Sequence, residues 1–583
     1  MKAHRIMMLV RRFVRNDQLI LVSLALVVGS IAGLLVTGFR YLILGVQWLA
    51  FGTGDEFLAS HADTLPEWRI VLAPVLGGLL VGYLLYRIMP GGRPQGIADV
   101  MEAAALNRGR MSAKAGIGAA LCSALSLGSG ASLGREGPAV HLGAAFCAYV
   151  AEKLRLTRQL SRTLLGCGAA AAVAASFNAP IAGALFATEV IVGHYAVSAF
   201  APIVIASVTG TVVSRAFFGD FPAFAIPPEA TDIWEFPIFA AMGLAAGGIT
   251  WLLIQGTGLT QKFMNQLPGP VWPRPALGGL AVGLIALAFP QVLGVGYEGT
   301  IEAISGAHAL GFVFALALAK IAATAISAGS GFAGGVFSPA LMIGATLGSA
   351  LGLAMTGLLP WETSGISSYA AVGMGAMASA MLGAPISTTL IIFELTSDYA
   401  LTMAVMVAAV LGSITARQLG CMSFFSWQLG LRDIDLVNAT RAMVLRNITA
   451  KDCLSQPRQT VAPGTNLQDL RIALMNSESG HLFVLGADNR LFGTVSLADL
   501  HEAAFDRDLD HLVNATDVAW RNPPMITPED TLEAAVNLMT EHQIDHLAVV
   551  ADPDSRQFLG GLRERDALAA ENDALIKLRR EER

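Results

Sequence analysis

Two segments of this 583-residue chain carry the residue types from which an anion site is built. Gly128–Ala144 reads GSGASLGREGPAVHLGA and Gly329–Ala345 reads GSGFAGGVFSPALMIGA, with eight of 17 positions identical and no gap. In each, a glycine-rich turn runs into an apolar stretch that has Pro138 or Pro339 near its start. Proline suits the first helical turn, where its missing N–H is no loss. The first N–H groups of a helix have no acceptor within it, and the helix dipole adds partial positive charge at the same end. Together they attract an anion, and glycine lets the ion come close to the backbone. Partial charges of this kind hold a dehydrated monovalent anion without the fixed full charge that would slow its release.

Glu136 lies inside the first turn, between Arg135 and Gly137. A carboxylate among backbone donors is itself an anion: it occupies an ion's place and leaves on protonation. That makes Glu136 the candidate gate linking pH, voltage and anion occupancy, against the plainer alternative of a structural pair with Arg135. An acidic residue within a membrane span marks function by default.

The elements that must position these turns are apolar and often short. Apolar stretches run at about 18–50, 68–89, 113–127, 139–151, 163–175, 181–216, 234–257, 276–290, 308–328, 335–359, 369–382, 385–397 and 400–419. A straight spanning helix needs about 20 residues, and several of these are shorter. Between residues 303 and 361 the only charged residue is Lys320. Helices that end inside a bilayer are tolerated only where their backbone ends are buried in protein or line a wet cavity. The pattern therefore predicts broken helices around a polar site. A second repeated pair supports this: Ala179-Pro180-Ile181 precedes Glu189 by the same spacing that separates Ala384-Pro385-Ile386 from Glu394. The two pairs are offset by 201 and 205 residues, which predicts two copies of one unit, about 18–217 and 234–420. An odd number of crossings per copy makes them inverted repeats, an all-α polytopic arrangement common in transporters.

Composition agrees. The chain is 54% hydrophobic and 14% charged, with a net charge of −6. Charged residues make up 10% of positions 1–440 and 27% of the remainder. This reads as a membrane body, 1–435, a linker, 436–448, and a soluble domain. The modest net charge indicates no nucleic-acid partner. Five scattered cysteines give no disulfide framework, and no Cys/His spacing indicates a metal. The basic start, with Lys2, Arg5, Arg11, Arg12 and Arg15, reads as a retained first helix, not a signal peptide. It places the N-terminus in the cytoplasm.

GREGP at 134–138, GVFSP at 335–339 and FNAPIAG at 177–183 resemble the ClC family of chloride channels and proton-coupled chloride exchangers. The resemblance covers essentially the whole membrane part. It implies a homodimer with one anion pathway per subunit, chloride as ligand, and residence in the cytoplasmic membrane of a bacterium, with both termini cytoplasmic. It also implies that Glu136 is the external gate and that the amides of Val336, Phe337 and Arg135–Gly137 hold anions. Two departures carry expectations of their own. The family's GSGIP loop appears as Pro94-Gln95-Gly96-Ile97-Ala98, so Gln95 stands where a serine coordinates the central anion. The family's late tyrosine matches Phe425, which lacks the hydroxyl. Weaker central binding is the expectation, with Gln95, Gly96, Ile97 and Phe425 around the ion. Val190 stands where many exchangers carry an internal proton glutamate, so the flux is expected to be uncoupled or weakly proton-coupled. Glu189 and Glu394 read as structural, as do His141 and His194.

From about Asn447 the pattern turns αβ-like. Short apolar strands at Phe483–Leu485 and Ala548–Val550 each follow a helical stretch and precede a Gly-to-Asp motif. The copies, 449–505 and 517–572, resemble a pair of CBS domains. That resemblance makes Ser496, Asp499 and Asp566 candidates for an adenine nucleotide, against a purely structural module. No other cofactor is implied. A CBS-regulated cation transporter would need acidic or carbonyl-rich coordination where this chain offers helix starts. An intramembrane enzyme would need a Ser/His, Asp/Asp or zinc constellation, which the apolar helices lack.

Overall fold

The structure, a computed structural model, describes residues 17–55, 57–62, 64–193, 197–220, 224, 226, 233–359, 363–436, 445, 448–454, 460–477, 480–497, 499–500 and 510–581. The five basic residues of the N-terminus, His194 and most of the 436–448 linker lie outside these. The chain divides into two compact units, Met1–Asp435 and Leu436–Arg583.

Among the described residues the first unit is helical and, apart from a five-residue helix at Leu58–Ala62, reads as two sets of eight in the same order. The first set is α1 (Asp17–Phe51), α2 (Glu67–Ile88), α3 (Ile97–Ala105), α4 (Ala113–Gly128), α5 (Glu136–Lys153), α6 (Arg158–Phe177), α7 (Pro180–Phe186) and α8 (Val197–Phe218). The second is α9 (Phe236–Gln266), α10 (Arg274–Ala288), α11 (Tyr297–Ser305), α12 (Leu310–Ser330), α13 (Phe337–Leu358), α14 (Gly365–Leu382), α15 (Pro385–Thr396) and α16 (Tyr399–Gln418). A short α17 (Phe424–Gly430) follows. Packing repeats with the order: α5 on α6 as α13 on α14, and α1 on α8 as α9 on α16, while α2 meets α10 between the sets. Among the described residues nine helices are long and apolar enough to cross a membrane. The Ala- and Gly-rich spans of α6 and α14 are 83% and 89% buried, so they form the centre of each half.

Close helix approach explains those small residues. A Cβ on Gly168 would stand 2.3 Å from the Gly143 carbonyl oxygen, and one on Gly373 would stand 2.1 Å from that of Gly344. The same crossing thus occurs in both sets, where backbone rests on backbone. Helix ends also match. Asn178, at φ 59°, closes α6 before Pro180 starts α7; Gly383, at φ 69°, closes α14 before Pro385 starts α15. The apolar run at 181–216, expected as one stretch, is broken. α7 continues as a π-helical turn over Ala187–Val192 and stops at Gly193, in the left-handed region at φ 76°, before α8 begins. The left-handed residue ends the hydrogen-bond ladder.

The second unit holds two three-stranded sheets of one design. β1 (Thr460–Val461) runs parallel to β2 (His481–Leu485), which pairs antiparallel with β3 (Leu491–Ser496); β4 (Met525–Ile526), β5 (His546–Val550) and β6 (Phe558–Arg563) repeat this. Helices α18 (Leu467–Asn476), α19 (Leu532–His542) and α20 (Glu564–Glu581) accompany them. Phe483 and Phe558, with ring centroids 4.9 Å apart, belong to an apolar cluster shared by the two sheets.

The glycine crossings give a direct test. Gly168→Val and Gly373→Val are each expected to lower the melting temperature of the purified protein in detergent, at a cost of ~3 kcal/mol from overpacking. Gly248→Ala, where a Cβ meets nothing within 4 Å, leaves it unchanged. Equal melting of all three variants would remove the crossing from the account.

Candidate functional site

Both glycine-rich turns meet. Gly134 N–H donates to Gly335 O at 2.6 Å and Gly335 N–H donates to Gly134 O at 2.7 Å, a two-bond bridge between the sets. Serines brace it on each side: Ser132 N–H donates to Ser327 Oγ at 3.1 Å and Ala333 N–H to Ser126 Oγ at 3.0 Å. The bridge sets the heads of α5 and α13 side by side. Intrahelical bonding begins with Ala139 N–H to Arg135 O in α5 and Ala340 N–H to Val336 O in α13. The amides ahead of those have no acceptor within their own helix.

Glu136 is the first residue of α5 and is buried. Its Oε1 accepts from the Ser338 hydroxyl at 2.5 Å and from the Tyr297 hydroxyl at 3.3 Å. Its Oε2 is buried and accepts no hydrogen bond among the described residues. The carboxylate of one turn thus rests on the head of the helix that follows the other turn. Val336 and Phe337 are buried at that head, and the Phe337 ring lies 4.8 Å from Phe177 at the end of α6. Arg135 stacks its guanidinium 4.7 Å from the Tyr297 ring. A cavity of about 220 Å³ adjoins these groups, lined by Arg40, Arg135, Arg215, Tyr297 and Glu298 among others.

Tyr297 is held from below. Lys320, fully buried in α12, donates from Nζ to Val292 O at 3.0 Å and Gly294 O at 3.3 Å. That amine nitrogen fixes the turn leading into α11. Gly296, at φ 88°, lets this turn close, because a Cβ there would stand 2.6 Å from Met342 Sδ and 2.9 Å from Lys320 Nζ. A buried polar nitrogen needs such partners.

Gln95, Gly96 and Ile97 stand at the start of α3, which packs on α5, on the 187–192 π-turn that contains Val190, and on α17, which carries Phe425. One expected donor is engaged: Gly96 N–H donates to Asp99 Oδ2 at 2.9 Å. Asp99 in turn is bound by Arg93 at 2.6 Å and Arg432 at 3.1 Å. A carboxylate three positions into a helix is a capping signal, and that signal was readable at Asp99. Tyr297 gave no sequence signal, because its approach to Glu136 depends on how α11 packs. Ser338 lay inside the GVFSP motif.

Glu189 and Glu394 cap each other's repeat. Glu394 accepts from Ile181 and Ala182 N–H at 2.9 and 2.8 Å, and Glu189 accepts from Ile386 and Ser387 N–H at 3.2 and 2.8 Å. His141 is buried in α5. In the second unit Asp499 accepts from Ser496 N–H and Oγ–H at 2.6 and 2.7 Å, and Arg563 holds Asp566 at 2.6 Å.

The sequence profile described as voltage gated chloride channel matches residues 77–417, and that of the CBS domain matches 515–573. A putative chloride channel protein, ClcB-like, from Ralstonia nicotianae is 36% identical over 412 residues, covering 70% of this chain and 96% of the relative. Among solved structures, a slow cyanobacterial Cl−/H+ antiporter superposes with a TM-score of 0.64 at 22% identity, over 72% of this chain and 98% of the other. A eukaryotic CLC transporter superposes with a TM-score of 0.61 at 19% identity, over 94% of this chain and 97% of the other. These likenesses show a mostly helical, polytopic membrane fold followed by small mixed α/β sheets.

Proposed function

The chain belongs to the ClC family of voltage gated chloride channels, and from that premise we propose that it passes chloride between the heads of α5 and α13, with Glu136 as the gate. It is a multi-pass membrane protein of a channel and transporter family, not an enzyme. The observation that carries the gating reading is the position of the Glu136 carboxylate. It sits at the start of its own helix and bonds Ser338 at the start of the opposing one. An anion and this carboxylate compete for the same partial positive charge. Protonation removes the carboxylate's claim, so flux rises as the solution becomes more acidic.

Val336, Phe337, Arg135 and Gly137 belong to the anion path in this reading, with Gln95, Gly96, Ile97 and Phe425 at its inner end. The apolar Val190, packed beside α3, supports an anion flux that is uncoupled or weakly coupled to protons. The same reading includes a homodimer in the cytoplasmic membrane with both termini cytoplasmic. Its support is the basic N-terminus and the exposed apolar side chains Ile181, Val212, Ile386 and Met406 on α7, α8, α15 and α16. In the C-terminal unit, an adenine nucleotide is the proposed ligand of Ser496, Asp499 and Asp566. Its support is the placement of Ser496 on a cleft between the two halves. A flat calorimetric titration with ATP, ADP and AMP contradicts that part alone.

The decisive experiment is chloride efflux from proteoliposomes across pH, wild type against Glu136→Ala. The wild type is expected to speed up as pH falls. The variant is expected to keep its permeability and lose that dependence. A variant that no longer passes chloride, or one with the wild-type pH profile, refutes the gate. A reversal potential that follows the proton gradient with fixed stoichiometry makes the protein a proton-coupled exchanger instead.

A further inference from the structure

The two halves of the C-terminal unit begin their middle strands with histidine: His481 opens β2 and His546 opens β5, with Asp545 just before it. The fold brings these three together although nothing in their spacing along the chain indicates a metal. His481 Nε2, Asp545 Oδ1 and His546 Nδ1 all lie within 4.8 Å of one another. Asp545 Oδ1 stands 3.1 Å from His481 Nε2 and 2.9 Å from His546 Nδ1. The imidazole rings stack with centroids 4.7 Å apart and planes inclined by 25°. Donor atoms bound to one tetrahedral ion at ~2.0–2.1 Å stand about 3.3 Å from each other. The carboxylate is therefore already at near-ligand spacing from both rings.

Two imidazoles and a carboxylate form a three-donor set that leaves a fourth position open, as zinc accepts. His481 and Asp545 line a cleft together with Ser496, Gln543 and Glu564. A water molecule or the Glu564 carboxylate can complete the shell from that side. Ligation needs neutral imidazole and ionised carboxylate.

We propose that His481, Asp545 and His546 form a binding site for a divalent late transition metal of the zinc type, which fastens the two halves of the C-terminal unit to one another. The site shares its cleft with Ser496 of the proposed nucleotide site and uses none of the anion-path residues.

The test uses the full chain in detergent, purified without a polyhistidine tag. Zinc is titrated against a chromophoric chelator, and thermal unfolding is followed with and without zinc. The wild type is expected to bind one zinc per chain in the micromolar range or tighter, more weakly at pH ~5.5 than at ~7.5 as the imidazoles protonate. His546→Ala and Asp545→Asn are expected to lose at least about tenfold in affinity. His481→Cys, which supplies a thiolate donor, retains the site. Zinc, and not magnesium, raises the wild-type melting temperature. No zinc binding in the micromolar range overturns the proposal. So does an affinity that Asp545→Asn leaves unchanged, which also covers the case in which His546→Ala does not fold.

Discussion

A helix that starts inside an apolar body presents N–H groups that no earlier turn can accept from, and the rest of this membrane unit is arranged around that demand. Leaving such groups bare in a medium without water costs several kcal/mol each, on the order of ~4–8 in a solvent that offers no hydrogen bonds. The chain meets the demand in two ways. At α7 and α15 a carboxylate from the opposite repeat closes the helix head for good, Glu394 on one and Glu189 on the other. At α3 the helix's own Asp99 does so, held by Arg93 and Arg432. At α5 and α13 no carboxylate arrives from elsewhere among the described residues. There the acid is Glu136 itself, on a side chain rooted in the first residue of the helix and bound through one oxygen only. Fixed acids make structural joints; the tethered Glu136 is the one proposed to give way to an exchangeable ion.

Much of this was legible because the repeat is written in residues that cannot be exchanged freely. Proline at a helix head, glycine at a backbone crossing and glutamate at a fixed distance beyond the proline each answer a steric or hydrogen-bonding need. The apolar stretches at 113–127 and 385–397 correspond to Ala113–Gly128 and Pro385–Thr396. The nine-residue α3 and α11 escaped, since each is short and carries two acidic residues, Asp99 with Glu102 and Glu298 with Glu302. Their acids face structural partners, not solvent: Glu298 accepts from Ala59 N–H, and Glu102 from Arg432. Hydropathy reports burial of side chains, and it is silent on acids spent inside.

The site shows the same division. The placement of Glu136 at a helix start was legible from its own turn, and Val336 and Phe337 were marked by the resemblance of GVFSP to the family. Tyr297, Lys320 and Arg432 were not, because each acts across a distance that only packing closes. In the C-terminal unit the strands were legible as short apolar runs, each after a helical stretch and before a Gly-to-Asp motif. The convergence of His481, Asp545 and His546 needed two sheets docked in register, with Phe483 against Phe558. Gln95 and Phe425 set this sequence apart at the inner end of the proposed path: an amide and a bare ring where the resemblance leads one to expect two hydroxyls.

The central claim is that backbone amides at the heads of α5 and α13 hold the permeant anion. Anomalous diffraction from crystals grown in bromide tests it most directly. The account predicts bromide within ~3.5 Å of the backbone nitrogen of Val336 or Phe337, stronger in Glu136→Ala than in the wild type because the competing carboxylate is gone. Bromide found only at the protein surface, in both proteins, would contradict it.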